Sequence, residues 1–212
     1  MIRPSRPAAF TLVELITVIA LIAILAGLVA LITPLVHRNG ARARAEGEIK
    51  TLSGGLESYK IDNGSYPQDP QKTDALDPRQ NMVADASQTG TAPYSMSSRF
   101  LYESLTGDTN DTGKAGAMTK NYAPDFWKAS RLGGIKTDGV VTTVGFIADP
   151  FGNSYGYSTA GLADEQQFRQ ALATPSTAGS AARKGKGYNP TFDLWSTAGD
   201  TLGNTAKWAK NW

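Results

Sequence analysis

Cysteine is absent, so disulfides, thiolate chemistry and cysteine metal sites are all closed to this chain. Histidine is almost absent too. His37 stands alone, which removes histidine-based triads and zinc hydrolysis, because both need imidazole beside other ligands. No block of basic residues interleaves with aromatics, so the electrostatic footprint of a nucleic-acid binder is missing. The short basic run Arg183, Lys184 and Lys186 reads as a solvated loop. Formal charge is +2, and losing Arg3 and Arg6, which precede the first apolar run, would balance the chain. Acidic residues are plentiful, but no spacing singles out a catalytic pair or a metal cluster, so an enzyme is not expected. The 212 residues suffice for one hydrophobic core plus one appended element.

What is present begins with an apolar stretch. From Phe10 to Thr33 roughly 24 residues carry a single charge, about 36 Å as a helix against a hydrocarbon core of about 30 Å. A cleaved secretory signal has a shorter apolar region, about 7 to 15 residues, followed by small residues. Here Pro34, Leu35 and Val36 follow, so a retained span is expected. Glu14 sits one turn inside it, where a central charge costs roughly 2.5 to 3.5 kcal/mol. A tilt toward the interface lowers that cost. A single helix supplies no cation, so the carboxylate gains most from a positive group on another chain. Arg3 and Arg6 face Arg38, Arg42 and Arg44 across the span, and the count of basic residues does not fix its orientation.

Beyond the span, Ala45, Ile49, Leu52, Leu56 and Tyr59 recur at steps of three and four, the stripe of an amphipathic helix. One long helix is expected, kinked or broken at Pro34. Gly54 and Gly55 mark bending, close packing or mere tolerance within it, and Asp62, Asn63 and Gly64 mark its end. Gln68 to Thr91 lacks periodicity and predicts a surface loop or partly disordered insertion. Ser98 to Leu105 predicts a short helix with Phe100, Leu101 and Leu105 inward, and Pro124 to Lys128 a helical turn. Val140 to Ile147 predicts a strand, Asp149 to Asn153 a turn, and Ser154 to Tyr157 the return strand of a hairpin. Thr191 to Ser196 predicts a further strand, with Phe192 and Leu194 on one face.

The run from Ala9 through Glu14 to Leu15 resembles the prepilin peptidase signal of type IV pilins and pseudopilins, with Ala9 where the family usually has glycine. Tyr59 to Pro67, with its Asp62-Asn63-Gly64 core, and Asp149 to Tyr157, with Phe151 in place of tryptophan, resemble stretches of the major pseudopilin of type II secretion. The likeness implies an α+β pilin fold, in which a long N-terminal helix packs on a small antiparallel sheet. It implies a leader at 1–9, a transmembrane part at 10–36, an amphipathic half at 37–62, a variable region at 63–148 and a C-terminal β region at 149–212. It further implies cleavage between Ala9 and Phe10, methylation of Phe10, and assembly through pairing of Glu14 with the Phe10 amine of a neighbour.

The implied partners are a second copy of the chain, prepilin peptidase, an inner-membrane platform protein, an assembly ATPase, minor pseudopilins and a secretin. The implied place is the bacterial inner membrane, single-pass, with the globular part in the periplasm and no nucleic acid involved. In that family the loop after the last long strand binds calcium. Ser196 and Asp200 persist here, but 204–207 lacks paired acids, so calcium stays open, an ordinary turn is expected at Asp200, and no cofactor is otherwise implied. The alternatives are a type IV pilin or minor pilin for adhesion or DNA uptake, and a membrane-anchored ligand-binding module.

Overall fold

The computed structural model describes residues 11–84, 90–114, 116 and 120–212. The side chains of residue 29 and of residues 31–35 also lie outside the described residues. The chain divides into two compact units, Met1–Gly40 and Ala41–Trp212. Its class is α+β.

Helix α1 runs Leu12–Asn63, 52 residues, and is continuous through residue 34. Its end is set by local chemistry. Gly64 takes a left-handed conformation, φ 80°, and its N–H donates to the Lys60 carbonyl at 2.8 Å. Within the unit 41–212, Ala45, Ile49, Leu52 and Leu56 are buried, and Tyr59 packs partly buried against Tyr122 with ring centroids 5.2 Å apart. Each buried leucine or isoleucine contributes roughly 1.5 to 3 kcal/mol. The two neighbouring glycines differ. A Cβ at Gly55 would lie 3.3 Å from the Tyr122 carbonyl and 3.5 Å from Ala123, so Gly55 permits close packing, whereas Gly54 faces open space.

Helix α2 (Pro93–Thr106) starts with proline in its first turn and stops at Gly107, φ 68°, whose N–H returns to Glu103. It is longer than expected, and its inward face is Leu101, Tyr102 and Leu105; Phe100 is only half-buried, beneath Lys72. Serines stitch this helix to the strands. Ser98 Oγ accepts the Ile147 N–H at 2.9 Å, and Ser97 Oγ donates to the Tyr157 carbonyl. The expected helical turn at 124–128 is a plain turn.

Strands β1 (Leu132–Thr137) and β2 (Val140–Ile147) form a two-stranded antiparallel sheet, with a register shift between Gly133 and Gly134. Strands β3 (Gly156–Ser158), β4 (Asp193–Ser196) and β5 (Ala209–Lys210) form a second antiparallel sheet in that order. The expected hairpin is therefore corrected. Only the Ala148–Ser154 bridge joins its arms, since β2 pairs with β1 while β3 pairs with β4. β4 turns Leu194 into the main core beside Phe192 and turns Trp195 into a second cluster with Leu76, Tyr94 and Trp208. Gly156 lies opposite Trp195, where any Cβ would collide with the indole.

The expectation of a surface loop at 68–91 also changes, because Thr73, Leu76 and Asp77 are buried. Leu76 anchors the segment, and Thr159 Oγ1 donates to the Asp74 carboxylate at 2.6 Å. Helix α3 (Ala160–Ala173) interrupts the β region expected at 149–212. Three buried carboxylates then hold the basic run as a structured loop. Asp164 accepts N–H groups from Lys184 and Gly185, Asp77 accepts from Gly187, and Asp193 accepts from Tyr188 and Asn189.

Candidate assembly site

The unit Met1–Gly40 contains one described element, the first part of α1. From Leu12 to Leu28 every large apolar side chain is about half exposed or more, from 49% at Val18 to 73% at Leu12. A contiguous apolar surface of that extent calls for lipid or protein around it. Among the described residues no helix is long and apolar enough to cross a membrane. Part of the stretch 10–36 expected to do so lies outside them, namely Phe10 and the side chains of 29 and 31–35.

Helix α1 opens on a reciprocal cap. Glu14 Oε2 accepts the Thr11 N–H at 2.9 Å and the Thr11 hydroxyl at 2.8 Å, while Thr11 Oγ1 accepts the Glu14 N–H at 3.2 Å. Such a box satisfies donors that the first turn otherwise leaves open. Thr17 Oγ1 adds a bond to the Glu14 carbonyl at 2.9 Å. The helix supplies Glu14 no cation, but Thr11 gives it two neutral donors. Threonine followed three residues later by glutamate is the sequence signature of this cap, and it was available to be read. Ala9 and Phe10, the expected processing residues, lie outside the described residues.

Residues 4–30 match the family model described as the prokaryotic N-terminal methylation motif. The N-terminus carries a type IV pilin-like signal. The motif covers Ala9, Phe10 and Glu14. It points to a structural subunit processed by prepilin peptidase and assembled into filaments, and it leaves the chain beyond residue 30 unmatched. No curated protein and no solved structure matches the chain significantly.

The run Asp149 to Tyr157, which carried the likeness to secretion, is buried at Asp149 and from Ser154 to Tyr157, half-buried at Pro150, Phe151 and Asn153, and exposed at Gly152. Asp149 Oδ1 accepts the Phe151 and Asn153 N–H groups at 2.9 and 2.8 Å, and Oδ2 accepts the Ser196 hydroxyl at 2.5 Å. Burial nevertheless pushes this carboxyl above its usual range. The Tyr157 hydroxyl donates to the Pro67 carbonyl at 2.7 Å, which fixes the chain just beyond α1. Tyr66 is buried, edge-on to Phe192 at 5.0 Å. These aromatics fill the interior.

In the loop 197–208, Asp200 Oδ2 accepts the Asn204 and Leu202 N–H groups at 2.6 and 3.3 Å, and Oδ1 faces Lys207 Nζ at 3.7 Å. The Asn204 N–H contributes most to holding this carboxyl below its ordinary range. Among the described residues no group of three or more acidic or histidine side chains is disposed to hold a metal. A single carboxylate engaged by amides and facing an ammonium does not fit a calcium site, which needs six to eight oxygens.

Proposed function

We propose that the chain is a structural subunit of a type II secretion pseudopilus, anchored single-pass in the bacterial inner membrane with its 41–212 unit in the periplasm. Prepilin peptidase cuts between Ala9 and Phe10 and methylates the new amine. A platform protein and assembly ATPase then add subunits, with minor pseudopilins, to a filament that pushes folded cargo through a secretin. The observation that carries this reading is the exposed apolar surface from Leu12 to Leu28 lying inside the methylation motif. Withdrawing that surface from lipid into a bundle of identical helices is the physical work of assembly. The absence of cysteine and the likeness of the run Asp149 to Tyr157 to the major pseudopilin support secretion over a pilus.

The cap suggests how Glu14 takes part. In the free subunit Thr11 satisfies the carboxylate; in the filament the Phe10 amine of a neighbour takes it and sets register. Glu14→Ala removes both the cap and the pairing, whereas Thr11→Val removes the hydroxyl half of the cap and keeps the carboxylate. Filament yield should collapse in Glu14→Ala and persist in Thr11→Val, with membrane insertion intact in both. Normal filament yield in Glu14→Ala would contradict the pairing.

A further inference from the structure

A cavity of about 500 Å³ opens in the unit 41–212, walled by α1, the segment 128–131, β1 and the turn after β2. Its volume falls in the range of small-ligand sites. Four cations and two carboxylates line it. Both carboxylates are engaged from within. Glu48 bonds Arg131 Nε at 3.2 Å through Oε1 and the Tyr155 hydroxyl at 2.8 Å through Oε2, and Asp149 has the three donors already described.

The remaining cations, Arg44, Lys128 and Lys136, form no ion pair among the described residues. They come from three different elements. Positive groups around one concavity focus potential into it. One wall is bare backbone, since a Cβ at Gly133 would collide with the Phe146 ring and one at Gly134 (φ 149°) with the Thr143 carbonyl, so neither position admits a side chain.

We propose that this cavity binds a phosphate-type dianion, gripped by Arg44, Lys128 and Lys136. A tetrahedral dianion presents oxygens in several directions, which suits cations arriving from separate walls. The Arg44 guanidinium can take two oxygens, and each lysine acts as a point charge. A planar monocarboxylate would leave two of the three cations uncompensated. Free phosphate and a phosphomonoester lipid headgroup share this chemistry, and the site stands whether or not the filament reading holds.

The test is calorimetric titration of the full chain, in neutral detergent and low chloride, with inorganic phosphate. Saturable one-site binding is expected. The combined variant Arg44→Gln, Lys128→Gln, Lys136→Gln should weaken it at least about tenfold, or about 1.4 kcal/mol. The charge-matched variant Lys50→Gln, Lys114→Gln, Lys184→Gln should stay within about twofold of the parent. If the first variant fails to fold, Lys136→Glu alone, at an exposed position, should show the same direction of loss. A second arm dopes the micelles with phosphatidic acid or phosphatidylcholine. Loss of phosphate binding with the former only assigns the site to a lipid headgroup, and persistence in both assigns it to free phosphate. Absence of saturable binding, or equal weakening in both combined variants, overturns the proposal.

Discussion

The Tyr155 hydroxyl donates to Glu48 Oε2 at 2.8 Å, and the other oxygen of the same carboxylate lies 3.2 Å from Arg131 Nε. One buried glutamate of α1 thereby ties the helix to the chain before β1 and to the chain before β3. Truncating one partner of such a cluster leaves the others unpaired. Glu48→Ala should destabilise the fold by about 2 to 4 kcal/mol, with the upper end tempered by the partial exposure of Arg131. Tyr155→Phe should cost about 1 to 2 kcal/mol. Urea denaturation of the two single variants and the double variant measures the coupling, and additive losses would contradict a shared bond.

Gly156 faces the Trp195 indole across the β3–β4 pair. Gly156→Ala forces a methyl into that ring and should lower stability by about 1 to 3 kcal/mol. Gly54→Ala meets nothing within 4 Å and should gain up to about 1 kcal/mol through helix propensity. Thermal melts of the two variants should move in opposite directions.

Burial pushes Asp193 up to about 6, against the opposing N–H groups of Tyr188 and Asn189. The folded state thus holds this proton more tightly than the unfolded chain, whose aspartates titrate at about 3.9. Its contribution to stability is complete below about pH 4 and is lost as pH rises through about 6, at most about 3 kcal/mol over that window. Carbon-detected NMR should place the Asp193 midpoint near 6, and a midpoint below 4 would contradict the burial argument.

Lys207 sits beside Asp200 where a calcium-binding loop would concentrate oxygens. Calcium followed by chelation should move the melting temperature by less than about 2 °C, under about 1 kcal/mol for a chain of this size. A larger shift would show that the loop holds the metal by other oxygens.

Where one local rule decided the outcome, the sequence was sufficient. The stripe Ala45 to Leu56, the stop at Asn63 and the β-branched run of β2 each follow from periodicity or turn chemistry, and each is present. Where tertiary pairing decided, it was not. β1 is diluted by Gly133 and Gly134, whose reason is the Phe146 ring and the backbone opposite. The arms of the turn at Asp149 go to different sheets because β3 finds its partner in β4, almost forty residues later in sequence. α3 buries only its N-terminal residues and shows little amphipathic pattern. At the assembly site the Thr11–Glu14 cap is a local motif and was legible, while the cations around the cavity are scattered over residues 44 to 136 and converge only after folding.

Assembly through α1 requires a processed N-terminus. Intact-mass and N-terminal peptide mass spectrometry of protein purified from its native membrane measures it directly. The expected product is a chain that begins at Phe10 and carries one added methyl group on its amine. Recovery of an uncut chain that begins at Met1 would contradict it.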